Sequence, residues 1–127
     1  MPARKPVILY VDDDQDYLDA TRAILEAGGY QMLEARSAEQ GLAVFRSNPP
    51  DLVIVDLMME EVDSGTSLVK ELRASGSQVP IYMLSSVGDS LSLTADAESL
   101  GLAGVLQKPV DGKTLLSVVD ARLARAR

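Results

Sequence analysis

The chain has 127 residues, of which 46% are apolar, and this size and composition suit one domain with a buried core. Nineteen acidic side chains against twelve basic ones give a net charge of -7, which argues against direct binding to the phosphate backbone of a nucleic acid. The absence of cysteine and histidine excludes a disulfide framework, thiol chemistry, histidine metal ligands and a phosphohistidine donor within the chain.

Short apolar runs alternate along the chain with longer segments of helical periodicity, which is typical of βα units around a parallel sheet. Five strands are predicted, at Val7–Val11, Tyr30–Leu33, Leu52–Val55, Pro80–Leu84 and Gly104–Gln107. The first, third and fourth are apolar throughout, so we expect them to be buried on both faces of the sheet. The fold class is therefore α/β, with helices on both sides of the sheet.

Five helices are predicted after these strands, at about residues 15–27, 38–47, 64–75, 89–100 and 112–124. The pair Gly28–Gly29 ends the first helix, and Asn48–Pro50 ends the second. Ser37 has capping-box spacing to Gln40 at the start of the second, and Asp111 can cap the last. Serine and threonine lower the helix propensity of the fourth segment, which predicts a mobile element.

Apolar residues at helical spacing predict the helix faces that pack on the sheet. They are Leu18, Thr21 and Leu25 in the first helix, Leu68, Val69 and Leu72 in the third, Leu93, Ala97 and Leu100 in the fourth, and Leu115, Leu116, Val119 and Leu123 in the last.

No linker-like stretch, repeat or low-complexity tract interrupts the series of elements. We therefore expect a single domain over residues 1–127, with a core at about residues 6–124 and no output domain in this chain. No apolar run is long enough to cross a bilayer and no signal sequence follows Met1, so we expect a cytoplasmic protein without membrane insertion.

Polar side chains follow four of the predicted strands, at the sheet edge where open parallel sheets bind ligands. They are Asp12 and Asp13 after the first strand, Asp56 after the third, Ser85 after the fourth and Lys108 after the fifth. Carboxylates gathered at one edge repel each other unless a cation is present, and Mg²⁺ prefers such oxygen ligands. The sequence therefore predicts a magnesium site.

The chemistry of this edge follows from the residue types. A carboxylate such as Asp56 can attack a phosphoryl group without a separate base, while the ammonium of Lys108 balances the acids and pairs with phosphate. The hydroxyl of Ser85 can donate to a phosphoryl oxygen, although it could equally cap a turn. For Asp14 and Asp16 we favour a structural interpretation, as the cap and first turn of the first helix.

These motifs, in this order and spacing, resemble the receiver domain of two-component response regulators over about Pro6 to Leu123. The resemblance implies a doubly wound, three-layer (βα)5 sandwich of the flavodoxin-like type, with a five-stranded parallel sheet in the order 2-1-3-4-5. It also implies a cis peptide bond before Pro109.

The same resemblance implies a phosphoryl-accepting switch rather than an enzyme. Such a switch catalyses only its own phosphorylation and dephosphorylation. Asp56 would take a phosphoryl group from a sensor histidine kinase or phosphotransfer protein. Mg²⁺ would be bound by Asp13, Asp56 and the backbone carbonyl of Met58, with Asp12 acting through water. The fourth helix, fifth strand and fifth helix would present the phosphorylated state to a downstream protein.

The resemblance further implies that Lys108 pairs with the phosphoryl group and that Ser85 moves to form a hydrogen bond with it. Four positions depart from the family pattern. Val105 stands where many receivers carry a tyrosine or phenylalanine, Glu60–Glu61 replaces a common Pro-Gly pair, and Val110 replaces a frequent aromatic residue. Aromatic gating by residue 105 is therefore not expected.

Two other functions fit parts of the sequence. The first is a pseudo-receiver, which would keep the fold as a protein-binding module without phosphorylation. The second is a phosphatase of the haloacid dehalogenase type, because Asp12–Asp14 contains an Asp-x-Asp motif. That enzyme would need a further acidic pair after a late strand, where this chain has Lys108–Pro109.

Overall fold

The structure is a computed structural model, and it describes residues 5–56, 64–85 and 101–123. Within these ranges the strands are β1 (Val7–Val11), β2 (Gln31–Ala35), β3 (Leu52–Asp56), β4 (Ile81–Ser85) and β5 (Gly104–Gln107). The helices are α1 (Gln15–Ala27), α2 (Ala38–Ser47), α3 (Ser64–Ala74) and α4 (Gly112–Arg122). Helix α4 corresponds to the fifth predicted helix, while the fourth, at residues 89–100, lies outside the described residues.

All five strands are parallel and lie in the order β2-β1-β3-β4-β5, which confirms the expected topology. Strands β1, β3 and β4 are buried along their whole length, as predicted. Strand β5 forms an edge and is only partly covered by the described residues. The carboxyl ends of β1 and β3 are therefore adjacent near the centre of the sheet, as the register of Val11 opposite Val55 requires.

Five strand boundaries differ from the prediction: both ends of β2, which continues to Ala35, both ends of β4, which begins at Ile81, and the end of β3. Strands β3 and β4 each end one residue later than predicted, because Asp56 pairs with Leu84 and the carbonyl of Ser85 accepts from the backbone N–H of Lys108 at 2.7 Å. Strand β2 begins after Tyr30, whose backbone N–H instead bonds the carbonyl of Leu25 and closes the end of α1. Asp56 and Ser85 are therefore held by the sheet.

Each face of the sheet has its own hydrophobic core, because successive strand side chains point to opposite sides. The first core lies under α1 and α4 and includes Ile8, Tyr10, Leu18, Leu25, Ile54, Leu115 and Val119. The second lies under α2 and α3 and includes Leu9, Val11, Val53, Val55, Leu68, Val69 and Leu72. The predicted core positions Thr21, Leu116 and Leu123 are only partly buried, because they lie at the margins of the first core.

The predicted caps are present at three helices. The carboxylate of Asp14 accepts from the backbone N–H of Asp16, and that of Asp111 accepts from the N–H of Thr114. At α2 the hydroxyl of Ser37 accepts from the N–H of Gln40 at 3.0 Å. These bonds satisfy backbone donors that the first turn of a helix leaves unpaired.

Two tyrosines attach the sheet layer to α4. The buried hydroxyl of Tyr30 donates to Asp120, whose side chain is also buried, and the Tyr82 hydroxyl accepts from Nε of Arg122 at 3.2 Å. These contacts hold α4 against the side of the sheet that α1 also covers.

Gly41 sets the distance between α2 and the sheet, and this contact generates a prediction. A Cβ atom at this position would lie 2.9 Å from Cγ2 of Val11 and 3.2 Å from Cδ2 of Leu68. We expect Gly41→Ala to lower the free energy of unfolding by about 1–3 kcal/mol, because the buried contact is overpacked. This loss exceeds the gain of about 1 kcal/mol that alanine brings to a helix interior.

Chemical denaturation of the wild type and the variant measures this difference. The matched control is Gly112→Ala in α4, where the added Cβ would meet Ile24 at an ordinary 3.4 Å. We expect the control to stay within about 0.5 kcal/mol of the wild type. Equal effects of the two substitutions would contradict the close packing of α2 on β1.

Candidate functional site at the carboxyl edge of the sheet

The structure brings most of the predicted site residues together at the carboxyl edge of the sheet. Carboxylate oxygens of Asp12, Asp13 and Asp56 lie within 4.8 Å of one another. Asp12 and Asp56 are buried, and Asp13 is partly buried. The backbone carbonyl of Met58, predicted as a further ligand, lies outside the described residues.

Lys108 lies between two of these acids. Its Nζ atom is 2.9 Å from Oδ2 of Asp12 and 3.3 Å from Oδ1 of Asp56, and its side chain is only 12% exposed. The peptide bond between Lys108 and Pro109 is cis, as the resemblance implied. The sequence prediction that this ammonium reaches the acid cluster is therefore confirmed.

The charge on Lys108 is secured by its surroundings. Burial acts to lower the pKa of Lys108, but the bond to Asp12 and the negative charges of Asp12 and Asp56 outweigh burial and raise the pKa above its ordinary value. The side chain is therefore an ammonium at neutral pH, and it contacts both buried carboxylates.

An aromatic ring covers another side of this ammonium. The Nζ atom of Lys108 lies 4.0 Å from the centre of the Tyr17 ring, within the range of a cation–π interaction. Tyr17 lies in the first turn of α1, which begins just after the acid pair. Sequence analysis did not single out Tyr17, because an aromatic residue in an amphipathic helix usually packs on the core.

Both carboxylate oxygens of Asp12 accept hydrogen bonds. Oδ1 accepts from the backbone N–H of Asp14 at 2.9 Å, and Oδ2 accepts from the hydroxyl of Tyr10 as well as from Lys108. Burial raises the pKa of Tyr10 far above its ordinary value, and the bond to Asp12 adds to this effect, so the hydroxyl stays a donor. Sequence analysis missed Tyr10 as well, because it lies within an apolar strand.

Ser85 supplies a buried hydroxyl beside the acids. It is the last residue of β4, next to Leu84, which pairs with Asp56 across the strands. Ser85 is 1% exposed, and its Oγ has no hydrogen-bond partner among the described residues. Burying an unpaired hydroxyl is unfavourable, which is typical of a group that meets a ligand during function.

The acid cluster fits a magnesium ion. Mg²⁺ binds oxygen at about 2.0–2.1 Å in an octahedron, so opposite ligands lie about 4.2 Å apart. The carboxylate oxygens of Asp12, Asp13 and Asp56 lie within 4.8 Å of one another, so small side-chain movements would let one ion contact more than one of them. Both oxygens of Asp12 accept hydrogen bonds, and Oδ2 accepts two, so direct metal binding through Oδ2 would displace a donor.

Comparison with known proteins identifies the family. The family model described as the response regulator receiver domain matches residues 8–120. The chain therefore belongs to this family of two-component signalling domains, as its site residues indicated, and the matching family is not one of enzymes. Among the described residues, no helix is both long and apolar enough to span a bilayer.

Curated relatives carry the same assignment. The transcriptional regulatory protein CseB of Streptomyces avermitilis is 34% identical over 97% of this chain and 51% of its own length. The response regulator MprA of Mycobacterium sp. strain KMS is 34% identical over 98% of this chain and 52% of its own length. The chain thus spans about half the length of the curated relatives it matches.

Solved structures agree on the fold. A response regulator receiver domain protein from Clostridium thermocellum matches with a TM-score of 0.84 and 28% identity, over 94% of both chains. A putative response regulator from Chloroflexus aurantiacus matches with a TM-score of 0.84 and 31% identity, over 95% of this chain and 99% of the other. The flavodoxin-like fold class is confirmed.

The ring of Tyr17 should protect Lys108 from chemical modification. We expect Tyr17→Leu to make acylation of Lys108 by a limiting amine-reactive reagent about two- to tenfold faster, because the cation–π contact is lost. Tyr17→Phe keeps the ring and should react like the wild type. Peptide mass spectrometry gives both rates, with the exposed Lys113 of α4 as the internal reference. Equal rates in all three proteins would contradict shielding by the ring.

Proposed function

We propose that Asp56 accepts a phosphoryl group from a sensor histidine kinase or phosphotransfer protein, with Mg²⁺ bound, and that this changes the binding of a downstream protein. The observation that carries the proposal is the single ammonium of Lys108 lying between buried Asp12 and Asp56. We also propose that the whole chain acts as one receiver domain, for which the family match over residues 8–120 is the support.

Asp56 is suited to be the nucleophile. It ends a buried central strand, so the sheet holds its side chain at the edge without a loop to reorganise. A carboxylate oxygen of Asp56 would form the new P–O bond while the P–N bond of the phosphohistidine breaks and its electron pair returns to the donor imidazole. The product is an acyl phosphate, and no proton has to leave Asp56.

Positive charge is needed around the transferred group. The ammonium of Lys108, already 3.3 Å from Asp56, reduces the repulsion between this carboxylate and the incoming phosphoryl oxygens. Asp13 and Asp56 would bind Mg²⁺ directly, with the carbonyl of Met58 as the expected third protein ligand. When bound, the ion would neutralise charge on the phosphoryl oxygens.

Ser85 links the modification to a change in structure. A phosphoryl group on Asp56 adds negative charge and acceptor oxygens, and the buried hydroxyl of Ser85 is a donor without a described partner. We propose that Ser85 bonds the phosphoryl group and that the end of β4 shifts with it, altering the face that the resemblance assigns to the fourth predicted helix, β5 and α4. On this face Val105 is an aliphatic residue packed against the core under α3.

Incubation with Mg²⁺ and acetyl phosphate tests the proposal directly. Intact-protein mass spectrometry should detect one added phosphoryl group on the wild type, and none after chelation of the metal. Asp56→Asn should stay unmodified, because an amide is a poor nucleophile.

The other outcomes separate the rival functions. No adduct on the wild type would favour a non-phosphorylated protein-binding module with the same fold. An adduct that persists in Asp56→Asn would assign the reaction to another carboxylate. Rapid hydrolysis of unrelated phosphate esters would instead support a phosphatase of the haloacid dehalogenase type.

Ser85→Ala should weaken the structural response to phosphorylation without lowering the free energy of unfolding. The hydroxyl of Ser85 has no partner among the described residues, so removing it leaves no described donor unsatisfied, and we expect the free energy of unfolding to stay equal or to rise by up to about 1 kcal/mol. Ser75→Ala is the matched control, because its hydroxyl donates to the carbonyl of Leu72 at 2.7 Å. The control should lose about 0.5–1.5 kcal/mol.

The phosphorylated state gives a second test of Ser85→Ala. In Ser85→Ala, acetyl phosphate should still modify Asp56, but backbone NMR shifts in β4 and β5 should change less than in the wild type. Shift changes as large as those of the wild type would contradict the proposed role of this hydroxyl.

A further inference from the structure

Tyr10 forms a contact that the proposed reaction does not use. It lies on β1, two residues before Asp12, and its side chain is fully buried in the core under α1 and α4. From within this core its hydroxyl donates to Oδ2 of Asp12, the same oxygen that lies 2.9 Å from Lys108. The polar end of a core residue therefore takes part in the acid cluster.

The hydrogen bonds of Asp12 restrict what this carboxylate can do. Oδ1 is bonded by the N–H of Asp14, and Oδ2 by Tyr10 and Lys108, while the residue has no exposed surface. To bind a metal directly through Oδ2, Asp12 would have to release one of these donors. Releasing Tyr10 would cost its buried hydroxyl the bond to a charged acceptor, which is unfavourable even though Thr21 also lies within hydrogen-bonding reach.

We infer that Tyr10 is a positioning residue that keeps Asp12 paired with Lys108 and out of direct contact with the metal. This inference rests on the proposed function and deepens it. Asp13 and Asp56 remain as the direct carboxylate ligands, so two carboxylates instead of three coordinate the ion directly. The affinity of an oxygen site for a divalent cation depends on the number of charged ligands, and Tyr10 thereby limits the affinity for Mg²⁺.

Tyr10→Phe tests this role, because it removes only the hydroxyl. Isothermal titration with Mg²⁺ alone should give a dissociation constant about two- to tenfold lower than that of the wild type, since Asp12 loses a charge-assisted donor and can turn to the metal. Chemical denaturation without Mg²⁺ should show lower stability. A merely structural role would weaken both properties together.

Tyr30→Phe is the matched control. The hydroxyl of Tyr30 also donates to a buried carboxylate, that of Asp120, but this pair joins the core to α4 and includes no member of the acid cluster. We expect the control to lose stability and to keep the Mg²⁺ affinity of the wild type. The gain in Tyr10→Phe should disappear when Asp12→Asn is added, because Asp12 is its source.

The outcomes distinguish this inference from the proposed function. If the wild type binds Mg²⁺ and Tyr10→Phe binds it equally or more weakly, the inference on Tyr10 is overturned while phosphorylation of Asp56 is unaffected. If the wild type binds no Mg²⁺, the proposed magnesium site and the inference both fail.

A second measurement serves if Tyr10→Phe does not fold. In the wild type, the side-chain carboxyl ¹³C resonance of Asp12 should shift less on addition of Mg²⁺ than those of Asp13 and Asp56. Equal shifts for all three would overturn the inference.

Discussion

One ammonium group, that of Lys108, makes the carboxyl edge of the sheet stable. Taking Asp12 and Asp56 out of water is unfavourable, and their charges repel each other at short distance. Lys108 opposes both effects, with contacts of 2.9 and 3.3 Å. Because β5 is separated from β3 by β4, and strands lie about 4.8 Å apart, only a long side chain can extend from the end of β5 to the two acids.

The ammonium can act in this way because its side chain is largely shielded from water, with only 12% of its surface exposed. Tyr17 places its ring over Lys108, and Tyr10 donates to Asp12 from inside the core. Less water around these charges strengthens their interactions, which helps to hold the geometry of the cluster. The site therefore includes a residue of the hydrophobic core, Tyr10, as well as the polar residues at the strand ends.

The residues of the proposed reaction and those of the proposed signalling surface differ in how far they follow the receiver pattern. The acids, the lysine and the hydroxyl resemble that pattern, and the structure brings the three acids and Lys108 together. Val105, however, is an aliphatic residue on the edge strand β5, partly buried against the second core. A side chain packed in this way has no ring to turn between two positions, so the proposed signal would depend on Ser85 and backbone shifts.

The sequence by itself determined the elements, the helix caps and the edge of the sheet that carries the polar residues, because periodicity and capping are local properties. The family pattern supplied the strand order. Only the tertiary structure decided that Asp56 and Ser85 belong to the strands, since pairing with Leu84 and Lys108 extends the ladder by one residue. Only the tertiary structure assigned Tyr10 and Tyr17 to the site, because their contacts depend on how α1 and β5 approach β1. In the sequence, nothing local distinguishes an aromatic residue with a polar partner from one that only packs in the core.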